Sequence, residues 1–295
     1  MKKYTLIIFC FIISFLSQAQ RSEIGTLIGT SFYLGDLNSV PFKDAKFAGG
    51  LIYRYNFTPR VALKANILFG SITATDEKNY SLKRDDNKEP TAWDYRERNL
   101  SFSSSISEIS AQIEINFFNL YNVGHKNQIS PYLFGGAAFF SFNPQAVCNI
   151  DGKTYDLQPI GTEGQGRGDN PKYKLTGFAI PFGIGFKANI GRFVCVGAEW
   201  GLRCTFTDYL DDVGGVYYEF LPEETSAGIY DIVTALADPA SKENKHEPLS
   251  QRYSTRKTDW YSFAGVVLTL RIGNEDRICN IKTNVKLKHK QGRKR

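Results

Sequence analysis

Eight stretches of the chain place apolar and polar side chains on alternate positions, the period of a strand with one apolar and one polar face. They are Glu23–Gly35, Lys46–Phe57, Val61–Ala74, Ser101–Leu120, Ile129–Phe142, Lys174–Ile190, Phe193–Tyr209 and Trp260–Gly273. In the sixth, Phe178, Ile180, Phe182, Ile184, Phe186 and Ile190 form one face, and Gly177, Gly183, Gly185, Lys187 and Asn189 the other. In the fourth, Ile109, Ala111, Ile113, Ile115 and Phe117 oppose Glu108, Ser110, Gln112, Glu114 and Asn116. The seventh sets Val194, Val196, Ala198, Trp200, Leu202 and Phe206 against Gly197, Glu199, Gly201, Arg203, Thr205 and Thr207.

A soluble sandwich alternates too, so the connections carry the distinction. They run short and long in turn: Thr58–Arg60, Tyr121–Gln128 and Gly191–Arg192 are short, whereas Asp36–Ala45, Thr75–Leu100, Asn143–Tyr173 and Leu210–Asp259 are long. Short turns on one side, long loops on the other and an even strand count are the pattern of bacterial outer-membrane barrels. The strands also reach the roughly 9–11 residues that a tilted transmembrane strand needs. Aromatics gather near their ends, at Tyr53, Tyr55, Phe57, Phe117, Phe118, Tyr132, Phe134, Tyr209, Trp260 and Tyr261, as interfacial girdles do. The expected fold is all-β, an eight-stranded antiparallel up-and-down transmembrane β-barrel. Two irregularities are expected in it. Pro181 cannot donate a ladder hydrogen bond and predicts a bulge in the sixth strand. Phe102 and Ile106 fall out of phase with Ile109, which predicts a second bulge or the strand's emergence from the membrane.

Composition agrees: 22 Phe and 16 Tyr stand against a single Met. Charge divides the chain into three. Lys2 and Lys3, the apolar run Leu6–Leu16 and the small residues of Ser17-Gln18-Ala19 predict a signal peptide over 1–19. That run is 11 residues, too short for the roughly 20 of a spanning helix. The barrel follows over 20–273, and 274–295 forms a basic tail, expected to be flexible when alone and to lie in the periplasm with the N-terminus. The tail carries +6 and the leader +2; removing both from the chain's +6 leaves the body at −2. A basic tail on a near-neutral body argues against a nucleic-acid-binding fold.

The inward parity collects Arg54, Lys64, Glu108, Glu114, Lys187, Glu199, Arg203 and Arg271. An eight-stranded barrel is just wide enough for its side chains to fill, so these are expected to pair as a lumen charge network and structural plug. Glu108 and Arg203 stand at similar heights above their turns and are expected to share it. A conducting path is the alternative. Catalysis finds little support: His125, His246 and His289 lie in a turn, a loop and the tail, none on a strand beside a Ser or Asp. No Cys/His spacing for zinc and no phosphate loop is seen, and the Gly-rich run Thr162–Gly168 reads as a turn. The chain is therefore expected to be no enzyme and to need no cofactor. In TFTDYLDDV (Thr205–Val213), Asp208, Asp211 and Asp212 read either as oxygen ligands for calcium or as solvated carboxylates at a strand end. Cys148, Cys195, Cys204 and Cys279 offer no feasible intramolecular disulfide.

GDLN (Gly35–Asn38), RYNFTPR (Arg54–Arg60), SSSISEISAQIEINFF (Ser103–Phe118), SPYLFGG (Ser130–Gly136), TEGQG (Thr162–Gly166), GLRCTFTDYLDDV (Gly201–Val213) and DWYSFAG (Asp259–Gly265) follow in this order. Together they resemble the PorG-like family of small outer-membrane proteins of the type IX secretion (Por) system. The resemblance implies an outer-membrane structural or anchoring component of a protein-secretion machine, set in outer-membrane lipid. It also implies contact with a periplasmic ring of lipoprotein and partner subunits. A narrow channel or a small-molecule-binding barrel is the alternative function. The tail lies outside the matching strings; Lys282, Lys286, Lys288, Lys290, Arg293, Lys294 and Arg295 make it a candidate partner-binding segment by charge alone.

Overall fold

The computed structural model describes residues 22–76, 98–118, 129–191, 193–225, 228–240, 245–252 and 258–272. The leader, the basic tail, His125 and Cys279 lie outside the described residues. The strands are β1 (Ser22–Leu34), β2 (Lys46–Asn56), β3 (Val61–Thr75), β4 (Ser101–Asn116), β5 (Ile129–Val147), β6 (Thr154–Asp156), β7 (Thr176–Ile190), β8 (Val194–Thr205) and β9 (Trp260–Ile272). Among the described residues, two short α-helices, α1 (Leu157–Ile160) and α2 (Tyr230–Ala237), and a 3-10 turn at Pro222–Glu224 sit in the long loops.

Eight of these strands close on themselves, each antiparallel to its neighbours, in the order β1-β2-β3-β4-β5-β7-β8-β9 and back to β1. The chain is thus an all-β, closed, eight-stranded barrel. The seam joins the first and last strands along their whole length, from Ser22 opposite Ile272 to Leu34 opposite Trp260. That register puts both ends of the barrel sequence at one rim. Closure gives each of the eight barrel strands a neighbour on both sides, so the barrel wall has no free edge.

The ninth strand, β6, was not expected. It pairs with Gln145–Val147, which carry β5 five residues beyond the expected end at Phe142, and makes a hairpin that stands above the barrel. Three residues are too few for a period to register in sequence.

Neither expected bulge is present. Across Pro181 the β5–β7 register holds, from Gly135 opposite Phe182 to Ala138 opposite Ala179. The ladder is merely interrupted there, and Pro181 keeps its place opposite Arg203 on the other side. A gap of one missing donor costs less geometry than an inserted residue. β4 likewise pairs in unbroken register with β3 and β5. Its even residues face inward throughout; what changes is the chemistry of the two faces. Outward, Ile109, Ile113 and Ile115 give way to Ser101, Ser103, Ser105 and Ser107; inward, Glu114 and Glu108 give way to Ile106 and Phe102. This is the signature of a strand leaving an apolar medium.

The same inward gradient runs up the neighbouring strands: Glu23 then Leu27 on β1, Lys64 and Asn66 then Leu68 and Ile72 on β3. The lumen is therefore layered, with charge towards the Ser22 rim and an apolar plug above it. Phe102, Ile106, Phe140, Phe142, Tyr261 and Phe263 belong to that plug. Glycines on β7 and β8 make room for the β5 rings that line the charged layer below the plug. A Cβ on Gly185 would lie 2.3 Å from the Tyr132 ring, and one on Gly183 or Gly201 would lie 2.6 Å from the Phe134 ring. Outside, Ile24, Ile28, Leu51, Ile67, Ile113, Leu133, Phe182, Val266 and Leu268 form an exposed apolar belt. Soluble monomers rarely expose contiguous apolar patches beyond a few hundred Å². A belt around the whole wall suits lipid.

Candidate functional site

The structure brings the eight inward charges into one lumen and adds Glu23, which sequence reasoning missed. Glu23 is in phase with Gly25 and Leu27, and that parity is the signal that could have found it. With it, five cations face four carboxylates.

Arg54 is the hub near the Ser22 rim. Its Nη1 donates to Glu23 Oε2 at 2.6 Å and its Nε to Glu114 Oε2 at 2.9 Å. Lys187 pairs with the other Glu114 oxygen. Glu23 also accepts from Thr269 Oγ1 at 3.0 Å and Asn56 Nδ2 at 3.1 Å, and Arg271 Nε stands 3.5 Å from its Oε1. Across the lumen, Lys64 Nζ donates to Glu199 Oε2 at 2.5 Å, and the Tyr132 hydroxyl donates to the same oxygen at 2.8 Å. Lys64 Nζ also lies 4.0 Å from the centre of the Phe134 ring, a cation–π contact. Higher up, Arg203 Nε donates to Glu108 Oε2 at 3.0 Å, and the Tyr261 hydroxyl donates to that oxygen at 3.0 Å. Arg203 Nη1 donates to the Gly201 carbonyl at 2.7 Å. The guanidinium lies 4.8 Å from the Phe263 ring centre, so this pair joins the charged layer to the apolar plug.

A second polar cluster caps the barrel beyond the plug. The Tyr33 hydroxyl, at the top of β1, lies 2.6 Å from Asp211 Oδ2 and 2.7 Å from Asp259 Oδ1. One hydroxyl proton cannot serve both carboxylates at once. Burial pushes both well above the usual carboxylate range, helped by Asp259 and Asp36 at Asp211 and by Asp36 and Asp208 at Asp259. Asp212 accepts from Tyr173 at 2.6 Å and from Thr162. Arg252 ties the cap together through Nη1, donating to the Asp212 carbonyl at 2.6 Å, Thr162 Oγ1 at 3.0 Å and Glu163 Oε1 at 3.2 Å. Arg98 forks onto Asp76 at 2.7 and 2.8 Å and reaches the Arg252 carbonyl at 2.9 Å.

Both readings of TFTDYLDDV therefore need correction. Asp211 and Asp212 are buried and hydrogen-bonded, neither solvated nor arranged around a cation site, and only Asp208 is partly exposed. Among the described residues, no group of three His, Cys, Asp or Glu could hold a metal ion. The Thr162–Gly168 run is a turn, with Gly164, Gly166 and Gly168 at positive φ, but its first half is buried beneath the cap. Arg98, Asp76 and Arg252 gave no signal because their loops have no period. A cavity of about 180 Å³ between the loops, touched by Leu37, Leu100, Asp211, Leu236 and Arg252, falls below the roughly 300 Å³ at which small-molecule pockets begin. His246 stacks on Tyr217 with ring centres 4.2 Å apart, and its Nδ1 lies 3.1 Å from Asp238 Oδ1. Cys148, Cys195 and Cys204 are free thiols.

These features define a closed eight-stranded barrel of the outer-membrane type whose lumen is filled by its own side chains. The chain belongs to the family described as Domain of unknown function (DUF6089), whose model matches residues 2–220. No curated protein matched. Among solved structures, the N-terminal β-barrel domain of Pseudomonas aeruginosa OprF is similar over 85% of this chain and 97% of its own, at 10% identity and a TM-score of 0.35. Neisserial surface protein A is similar over 85% of this chain and 96% of its own, at 8% identity and a TM-score of 0.37. Ail of Yersinia pestis, solved with the heparin analogue sucrose octasulfate, is similar over 84% of this chain and 96% of its own, at 10% identity and a TM-score of 0.37. The likeness is one of architecture alone; the barrel here is defined by its own strand pairings.

Two outcomes follow from this geometry. Breaking Glu108–Arg203 from one side, by Glu108→Gln or Arg203→Met, is expected to cost about 3–5 kcal/mol because an uncompensated buried charge remains. The double variant is expected to cost less than the sum of the singles. Heat-modifiability on gels measures this, and strictly additive losses would reject the coupling.

The second outcome concerns the cap. Burial raises Asp208 to about 7, helped by Asp36 and Glu163, and burial raises Asp212 to about 6 against the pull of Arg252. The folded cap thus binds protons more tightly than the unfolded chain, whose carboxylates titrate near 4. Its stability is complete below that value and falls as pH rises through about 6 to 7. Amide exchange in residues 206–213 should be slower at pH 5 than at pH 8 after correction for intrinsic rates. Greater protection at pH 8 would contradict the assignment.

Proposed function

We propose that this protein is an outer-membrane structural or anchoring component of a protein-secretion machine of the type IX kind, contacting a periplasmic ring of lipoprotein and partner subunits. The observation that carries the structural part is the filled lumen. A charged layer, an apolar plug and a buried polar cap stand one above another, and a barrel so filled acts through its surfaces rather than through a passage or a reaction. The apolar belt supports residence in a membrane, and the predicted leader supports export to the outer one. The secretion role rests on the sequence strings that resemble the PorG-like family. With Ser22 and Ile272 paired at one rim, the segment before β1 and the basic tail leave from the same side, which this reading makes the periplasm.

A basic tail suits an acidic partner surface, and such a contact weakens with salt because the Debye length falls from roughly 10 Å at 0.1 M to 3 Å at 1 M. The test is affinity purification with crosslinking of the full chain and of a variant truncated after Gly273, at two ionic strengths. The proposal expects periplasmic ring subunits to be recovered with the full chain at low salt, and recovery to fall on truncation or at high salt while the barrel still inserts. Absence of such subunits from crosslinked material under both conditions would refute the secretion role. Recovery unchanged by truncation would move the contact to the short turns.

A further inference from the structure

The loop after β1 takes an unexpected path. Residues 35–45 join β1 to β2, yet the loop does not stay over its own hairpin. Phe42 packs on the outer wall, 4.7 Å from the Phe32 ring and 5.4 Å from the Trp200 ring of β8. β8 lies on the far side of β9, away from β2. The loop is therefore a strap across the β1–β9 closure seam, outside the barrel.

What lies under it faces outward. Phe32 follows Ile24 and Ile28 on the outward row of β1, where those two are about half exposed, but Phe32 is fully covered. Ser262 on β9 is covered too, and it accepts a hydrogen bond from Trp200 Nε1 at 3.1 Å. The indole donor thus meets the wall already satisfied, as a low-dielectric surrounding requires. The strap is also pre-built. The buried Asn38 of the GDLN string donates from Nδ2 to the Tyr33 and Val40 carbonyls, both at 3.0 Å, and accepts from the Val40 amide at 3.1 Å. Phe42 and Asp44 hold left-handed backbones at φ 62 and 53, a strained state that persists where contacts over-determine it. Its exposed side chains include the apolar Val40 and Phe42, 39% and 49% exposed, beside Ser39 and the half-buried Lys43 and Asp44, and Phe47 at the start of β2 is 75% exposed.

We propose that this strap is a membrane anchor, with its Val40 and Phe42, and Phe47 of the adjoining β2, set into the outer-leaflet lipid at the boundary between acyl chains and headgroups. The proposal rests on the membrane reading above. The occupant is lipid because the strap sits directly above the exposed apolar belt of β1, β8 and β9, beyond Ile28, Ala198 and Val266, with only Thr30 and Ala264 between on the outward rows of β1 and β9. Girdles of aromatic residues flank the apolar band of such barrels, and Phe is among the side chains that interfacial segments bury at that depth. The anchor fixes the height of the barrel and clamps the seam from outside.

The test uses the full chain in palmitoyl-oleoyl-phosphatidylcholine vesicles, with photoreactive benzoylphenylalanine replacing Phe42, Ile28 on the barrel wall, or Leu249 in the cap. Mass spectrometry reads the adducts after illumination. The proposal expects lipid adducts at positions 28 and 42, and several-fold fewer at 249. Adducts at 28 but not at 42 overturn the anchor while leaving the barrel in the membrane. A dimer adduct at 42 in place of a lipid one assigns the strap to a second copy of the chain and overturns it as well. Equal adducts at 42 and 249 remove its specificity. No adduct at 28 defeats the membrane reading, and the anchor with it.

Discussion

The narrowness of an eight-stranded lumen governs the rest of this molecule. Such a barrel has room for its own side chains and little else, so its inward charges are buried, Arg271 at the rim less than the rest. A charge placed there needs a partner within hydrogen-bonding reach or it becomes very costly. The inward set meets that condition by sharing. Glu114 serves both Arg54 and Lys187, Glu23 serves Arg54 with Arg271 alongside, and Glu199 serves Lys64 with a Tyr132 hydroxyl. Since buried ion pairs often add little net stability over apolar packing, their use here points to specificity. The pairs link strands far apart in sequence, such as Lys64 to Glu199, and so fix how the sheet closes on itself.

The layers above follow from the same constraint. Where the wall leaves the apolar belt, the inward positions of β4 turn to Ile106 and Phe102 and no longer need partners. Beyond the plug the long loops meet, and their backbone groups must be satisfied away from water. Arg98 and Arg252 do this by donating to carbonyls as well as to Asp76 and Glu163. The cap is tied to the barrel through Tyr33, which ends β1 and holds Asp211 and Asp259. Plug and cap together leave the molecule its outer wall, its loops and its two rims as working surfaces.

Much of this was legible in the sequence, and the reasons differ by element. Alternation over 12 to 16 residues in β4, β7 and β8 fixes both the strand and its inward face, so Glu108, Glu114, Lys187, Glu199 and Arg203 could be assigned to the lumen. Even the Glu108–Arg203 contact was open to counting from the turns. Pro181 and the Phe102–Ile109 phase suggested bulges that the ladder lacks, because sequence reports side-chain chemistry whereas register is a property of the ladder; the alternative offered for β4, emergence from the membrane, is the one its faces fit. A polarity change on an unbroken strand looks like a change of face. The cap was hidden for another reason. Its groups come from four segments without periodicity, and burial of Asp212 or Glu163 depends on how the loops fold over each other. The strap of residues 35–45 was equally invisible, since a loop's direction across a neighbouring strand leaves no pattern along its own.

The central claim is that charge pairs and an apolar plug fill the lumen. Single-channel recording in planar bilayers tests it most directly, with the purified full chain at 1 M salt and insertion checked in parallel by heat-modifiability. The account predicts a flat trace without discrete steps. Reproducible unit conductances from inserted, folded barrel would contradict it.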